Sequence, residues 1–98
     1  KPGLYLVNCA RGELIDTQAL IDALNSGAVA AYAADVMDLE PPPPDHPLLS
    51  APRVIITPHI GSRTHENVAR QATMAVQNMI HVLAGRPALA QANEISKP

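Results

Sequence analysis

The chain has 98 residues, enough for one modest domain, and 47% of them are hydrophobic although Trp and Phe are absent. Its formal net charge of −2 argues against nucleic acid as a partner, because nucleic acids bind basic surfaces. No apolar run approaches the length that spans a membrane, so membrane association is not expected. Cys9 is the single cysteine, which excludes an internal disulfide bond and favours a cytoplasmic location.

The first part of the chain alternates between strand and helix patterns. The apolar run at residues 4–7 predicts a strand buried on both faces, as in a parallel sheet. Asp16 or Thr17 is a suitable N-cap for a helix that ends at Gly27. Residues 29–36 form a second apolar run. It is rich in alanine, but its place between a helix and a long loop favours a strand that helices approach closely.

A proline-rich loop at residues 38–53 leads to a third strand pattern at residues 54–57. Pairing should stop at Pro58, which cannot donate a ladder hydrogen bond. Ser62 or Thr64 then caps a long amphipathic helix that continues to about Ala84. We expect part of its apolar face to meet a surface that this sequence does not supply. The tail, residues 88–98, has no strong pattern. The alternation makes the fold class α/β, with about three parallel strands, flanking helices and a long C-terminal helix.

Ionisable side chains follow each predicted strand. Arg11 follows the first strand, Asp35 and Glu40 the second, and His59 the third. Because the carboxyl ends of parallel strands meet at one edge of a sheet, where ligands bind, we expect these groups to converge. An arginine fork suits a carboxylate, and a histidine oriented by a carboxylate can give and take a proton. This set fits reduction of a 2-keto acid by a cofactor that carries hydride.

Each of these residues also has a structural interpretation, as a solvated loop residue, an ion-pair partner or a turn cap. Their joint placement at one edge of the sheet is what favours function. Cys9 is expected to be a small buried hydrophobic residue. The other three histidines lack metal-ligand spacing, so no metal site is predicted; they are His46, His65 and His81.

The chain contains three segments that read KPGLYLVNCARGELID, AADVMDLEPPPPDHPLL and VIITPHIGSRT. In wording, order and spacing over residues 1–87, they resemble the D-isomer-specific 2-hydroxyacid dehydrogenase family. The branches that they resemble are D-3-phosphoglycerate dehydrogenase and glyoxylate/hydroxypyruvate reductase. Asp38 and Leu39 stand where relatives often have Glu-Pro, which leaves Glu40 in register. The resemblance implies a partial Rossmann-type sheet and NAD or NADP as the cofactor.

The resemblance also implies roles for individual residues. Arg11 would bind the substrate carboxylate and polarise the carbonyl group, His59 would be the acid/base, and Glu40 would hold His59. Asp35 would accept a hydrogen bond from the nicotinamide carboxamide. The residues expected to line the nicotinamide pocket are Cys9, Ala10, Arg11, Asp35, His59, Gly61 and Ser62.

The family's glycine-rich phosphate-binding turn, its acidic ribose-binding residue and its substrate domain have no counterpart in the sequence. Residues 1–98 therefore resemble the C-terminal half of the dinucleotide-binding domain with a bridging helix. The start, without Met or a signal-peptide pattern, suggests part of a larger protein. We expect the chain alone to be inactive and to form a homodimer. The alternative is a non-catalytic half-Rossmann module that self-associates or binds a partner, as in dehydrogenase-like transcriptional corepressors.

Overall fold

The computed structural model describes residues 1–92, which divide into two units: residues 1–61 and the residues from 62 onwards. The first unit is built on a three-stranded sheet of order β1-β2-β3, in which both pairs of neighbours are parallel. The strands are β1 (Leu4–Asn8), β2 (Val29–Ala34) and β3 (Val54–Ile56). Together with the helices between them, they confirm the α/β class and the three parallel strands.

The helices of the first unit are a short 3-10 helix (Gly12–Leu14), α1 (Thr17–Ser26) and α2 (Pro47–Ser50). The predicted bounds of α1 are confirmed. The Asp16 side chain caps its start, and Gly27 ends it with a φ of 77°, a conformation that glycine adopts without a Cβ clash. The sequence did not predict α2. It begins because His46 caps it and Pro47 has a φ already suited to the first helical turn.

The core of this unit lies on one face of the sheet. Its buried residues come from α1, β2, α2 and the loop after β2: Leu20, Leu24, Val29, Tyr32, Ala34, Met37 and Leu48. The other face carries Tyr5, Val7 and Ile55, which are 76%, 67% and 69% exposed. The prediction that the first strand is buried on both faces is therefore wrong, because the helices of this unit pack on only one side. Cys9 is exposed, so the expectation of a buried cysteine is also wrong.

Two strands end earlier than their apolar patterns. β2 stops at Ala34 instead of 36, and β3 stops at Ile56 instead of 57. Val36 and Met37 are nevertheless buried, at 3% and 7% exposure. After β2, burial continues past the last ladder hydrogen bond into the loop that follows, so the apolar pattern here is longer than the strand.

The second unit contains α3 (His65–Leu83), whose N-cap is Thr64, one of the two predicted caps. Gly85 follows it with a φ of 69°. None of the residues of α3 is buried, and the expected partner for its apolar face stays a prediction. No helix within residues 1–92 is long and apolar enough to cross a bilayer. The last six residues of the predicted patternless tail, 93–98, lie outside the described residues.

Candidate active site

A histidine–glutamate pair follows the carboxyl ends of β2 and β3. His59 Nδ1 lies 2.6 Å from Glu40 Oε2. A carboxylate only accepts hydrogen bonds, so we assign the proton to Nδ1, which leaves Nε2 free. The other carboxylate oxygen, Glu40 Oε1, accepts from the backbone N–H of Met37 at 2.9 Å. Glu40 is therefore held on one side by the backbone and orients the imidazole ring on the other.

Asp35 holds the turn on which His59 lies. Its Oδ1 accepts from the Thr57 hydroxyl at 2.5 Å and from the Ile60 N–H at 3.0 Å, while Oδ2 accepts from the Gly61 N–H at 2.7 Å. A carboxylate has about four acceptor positions, so Oδ2 retains one. An acceptor position is therefore available for the predicted bond from a nicotinamide carboxamide to Asp35, which stays a prediction.

Asn8 shapes the turn that presents Arg11. Its buried side chain donates to the carbonyl oxygen of Arg11 at 2.8 Å and accepts from the N–H of Ala10 at 3.0 Å. The guanidinium of Arg11 donates to the carbonyl oxygen of Ala10 at 2.7 Å. Both Ala10 and Cys9 are exposed on this turn. Asn8 therefore fixes the backbone path at the end of β1, while the guanidinium itself stays exposed to solvent.

Gly12 lets the turn after β1 touch the loop after β2. A Cβ at this position would lie 2.0 Å from the carbonyl carbon of Met37 and 2.2 Å from the backbone nitrogen of Asp38. No side chain fits at these distances, so only glycine permits the two backbones to approach this closely. The contact brings the segment that carries Arg11 against the segment that carries Glu40.

The three predicted catalytic residues line one pocket of about 400 Å³, a size within the range of small-ligand sites. The lining residues are Arg11, Gly12, Glu13, Val36, Met37, Asp38, Glu40 and His59. The structure thus brings together Arg11, Glu40 and His59 as expected. Ser62 belongs to the second unit, and its predicted cofactor contact stays a prediction, as do those of Cys9, Ala10 and Gly61.

Hydrogen bonds keep both carboxylates of the site ionised. The bond with His59, followed by that from the Met37 N–H, lowers the pKa of Glu40, and the nearby charge of Arg11 acts in the same direction. The Thr57 hydroxyl and the two backbone donors at Ile60 and Gly61 lower the pKa of Asp35. An ionised Glu40 can accept from His59 throughout the neutral range, which acid/base chemistry at the imidazole requires.

Sequence reasoning missed the residues that hold the catalytic groups in place. Asn8, Gly12 and Thr57 each act through a contact with a segment distant in sequence or through a tight turn. Asn8 had a usable signal, because a polar amide that ends an apolar run is typical of a turn-forming residue. No comparable signal marked Gly12. Within residues 1–92, no group of three or more His, Cys, Asp or Glu side chains could hold a metal ion.

Residues 1–61, which coincide with the first unit, match the sequence profile of the D-isomer specific 2-hydroxyacid dehydrogenase family, NAD binding domain. The chain belongs to this family. Its cofactor class is therefore a nicotinamide dinucleotide, and the partial Rossmann-type sheet belongs to the NAD binding domain of this family.

Similar proteins of this family include reductases and dehydrogenases. The chain is 47% identical over 91 residues to a glyoxylate reductase of Thermofilum pendens, covering 91% of the chain and 27% of that relative. A glyoxylate reductase from Paecilomyes thermophila superposes with a TM-score of 0.83 at 38% identity, over 94% of the chain and 28% of that structure. A D-isomer specific 2-hydroxyacid dehydrogenase from Xanthobacter autotrophicus, solved with NADPH and MES, superposes with a TM-score of 0.77 at 38% identity. The match covers 94% of the chain and 37% of that structure.

The chain spans about a quarter of the length of the curated relatives that it matches. The matched part holds the pocket with Arg11, Glu40 and His59, so the comparison with D-2-hydroxyacid dehydrogenases concerns the segment where the candidate site lies.

Proposed function

We propose that this chain forms the nicotinamide side of an NAD(P)-dependent D-2-hydroxyacid dehydrogenase that interconverts a small 2-keto acid and its 2-hydroxy acid. The observation that carries the proposal is the 2.6 Å contact between His59 Nδ1 and Glu40 Oε2, in a pocket that Arg11 also lines. An imidazole whose Nδ1 is held by a carboxylate presents Nε2 for proton transfer.

In this function, His59 donates a proton from Nε2 to the carbonyl oxygen during reduction and takes it back during oxidation. Glu40 holds the ring through Nδ1, so that in the imidazolium form the proton on Nε2 is the one that faces no protein acceptor within residues 1–92 and can pass to the substrate. Arg11 binds the substrate carboxylate with its planar fork and polarises the carbonyl group. The nicotinamide, when bound, supplies or accepts the hydride.

The residues around the pocket fit the nicotinamide end of the cofactor. They lie beyond the carboxyl ends of parallel strands, where open α/β sheets bind ligands. Asp35 Oδ2 has an acceptor position left for an amide donor, and the exposed turn at Cys9 and Ala10 and the backbone at Gly61 and Ser62 would complete the lining. We also propose that residues 1–98 correspond to the C-terminal half of the dinucleotide-binding domain together with its bridging helix.

Two of the similar proteins are named glyoxylate reductases, so we propose glyoxylate as a substrate to test. A small 2-keto acid of this kind presents the two groups that the site would need: a carboxylate for Arg11 and a carbonyl oxygen for His59. The cofactor of the proposed function is NAD or NADP.

The test is the turnover of a His59→Gln variant of the intact protein with NADH and glyoxylate. Loss of a general acid/base lowers turnover by roughly 10²–10⁴-fold, and we expect a fall in that range. His65→Gln, an exposed histidine on α3, is the matched control and should keep the activity. Wild-type turnover in the His59 variant would overturn the assignment.

The second candidate function is a non-catalytic module that acts by self-association or by binding a partner. The observation in its favour is the exposed apolar sheet face of the first unit, with Tyr5, Val7 and Ile55. An NADH titration of the intact protein discriminates the two, because a module that works by association needs no cofactor affinity. We also propose, as the sequence predicted, that the chain forms a homodimer and that it is located in the cytoplasm.

A further inference from the structure

A second histidine–carboxylate pair lies close to the first, on the loop that carries Glu40. Asp38 Oδ1 lies 2.9 Å from His46 Nε2, and Asp38 Oδ2 accepts from the hydroxyl of Thr17 at 3.2 Å. His46 is 5% exposed, whereas the side chain of Asp38 is 33% exposed. One carboxylate thus joins the loop after β2 to the first residue of α1 and to the residue before α2.

The hydrogen bonds of His46 define which nitrogen carries its proton. The N–H of Leu48 donates to Nδ1 at 3.3 Å, which makes the imidazole the N-cap of α2. A nitrogen that accepts from an N–H has no proton, so Nε2 carries the hydrogen and donates it to Asp38. Both ring nitrogens are therefore satisfied, and the buried ring bridges α2 and the loop.

The hydrogen bonds of Asp38 hold the exposed part of the loop, residues 38–40, which burial does not anchor. Val36 and Met37 are anchored by burial, but residues 38–40 are exposed. The segment from Met37, which is buried, to Glu40, which is exposed, is tied to the helices by the Asp38 carboxylate. This carboxylate bonds to Thr17 of α1 and to His46, the N-cap of α2. Glu40 then folds back so that its Oε1 accepts from the Met37 N–H and its Oε2 meets His59.

We infer that Asp38 and His46 are positioning residues, which hold the loop so that Glu40 can orient the imidazole ring of His59. Neither side chain forms a hydrogen bond or an ion pair with His59, whose bonded partner is Glu40. The expected effect on turnover rests on the proposed function, whereas the effect on the tautomer of His59 can be measured without turnover. A purely structural bridge would change stability and leave both of those properties unchanged.

Three variants of the intact protein separate these roles. Asp38→Ala removes the bridge. His46→Asn keeps a side chain that caps helices well but is too short to reach Asp38. Asp38→Asn is the matched control, since its amide oxygen can still accept from His46 and its amide group can donate to the oxygen of Thr17.

The first readout is the tautomer of His59 in long-range ¹H–¹⁵N NMR spectra at neutral pH. We expect Nδ1–H in the wild type and in Asp38→Asn, and a shift towards Nε2–H in Asp38→Ala and His46→Asn. The second readout is kinetics: kcat should fall by on the order of 10–100-fold in the two disrupting variants, as for a misplacement of about 1 Å, with KM little changed.

The outcomes distinguish the two proposals. If Asp38→Ala and His46→Asn keep the wild-type tautomer of His59, the positioning role is wrong. If the tautomer changes while kcat stays at the wild-type value, positioning is supported and the catalytic role of His59 is contradicted. Should either variant fail to fold, Thr17→Val removes only the weaker bond to Asp38, and it must shift the His59 tautomer in the same direction for the inference to hold.

Discussion

His59 has a backbone φ of 52°, in the left-handed region that costs free energy for a residue with a Cβ. The Asp35 carboxylate offsets this cost by accepting from Thr57 on one side of the histidine and from Ile60 and Gly61 on the other. The same three bonds lower the pKa of Asp35. The stability of this turn and the ionisation of Asp35 are therefore linked.

We expect Asp35→Asn to lower the free energy of unfolding at pH 7, because an amide binds these donors less well than a carboxylate. Since the pKa of Asp35 is lowered in the folded chain, its contribution is complete above the ordinary value of 3.8 and is lost as the pH falls through the lowered value. The measurement is urea unfolding between pH 7 and pH 2. The difference from wild type should shrink in the acid range, whereas Asp45→Asn on an exposed loop should show no such convergence.

Arg11→Lys tests the substrate-binding role at the end of β1. An ammonium group cannot form the two parallel bonds of a guanidinium, so we expect KM for the 2-keto acid to rise on the order of 10-fold in the intact protein. Steady-state kinetics measures this, with Arg63→Lys as the control at another exposed position. Unchanged KM and kcat would count against Arg11 as the carboxylate-binding residue.

At the scale of elements, the site depends on how closely two connecting segments approach. The turn after β1 and the loop after β2 meet at Gly12, where backbone contacts leave no room for a Cβ. β1 and β2 pair at both ends, from Leu4 opposite Val29 to Asn8 opposite Ala34, with one register shift after Leu4, so both segments leave the sheet at the same edge. The strand register sets the edge at which the two segments leave the sheet, and Gly12 allows their backbones to approach closely.

Gly12→Ala should destabilise the first unit and open the pocket. Overpacking of this kind costs about 1–3 kcal/mol in free energy of unfolding. The measurement is the urea midpoint together with the His59 tautomer by NMR, because separation of the two segments also moves Glu40. The neighbouring Glu13→Ala, at an exposed position, is the control. Equal stability of the Gly12 variant and wild type would show that the backbones separate without cost.

At the scale of the whole chain, the first unit has one covered sheet face and one apolar face open to solvent. β1 and β3 are also edge strands with unpaired backbone groups. An open apolar face with free edges favours association. This is the physical basis for the homodimer expected from the sequence, and it applies to both candidate functions.

A charge on the open face should weaken that association. We expect Ile55→Lys, at a position 69% exposed on β3, to shift the sedimentation of the purified chain towards the monomer. Gln18→Lys makes the same change on α1, at an exposed position, and should leave the association unchanged. A chain that is monomeric before any substitution would contradict the predicted homodimer.

The sequence by itself determined the local features of this protein. Apolar runs gave the three strands to within two residues, and Asp16, Gly27 and Thr64 marked helix ends, because periodicity and caps depend on neighbours within a few residues. The placement of Arg11, Glu40 and His59 in one pocket also followed, since residues after parallel strands share an edge of the sheet.

Only the tertiary structure decided what depends on contacts between distant segments. It left one face of β1 uncovered, brought Gly12 against Met37, and joined His46 to Asp38. Burial depends on which elements pack against a strand, and an apolar run cannot report that. The partner of a polar side chain depends in the same way on strand register and loop path, which short-range patterns do not encode.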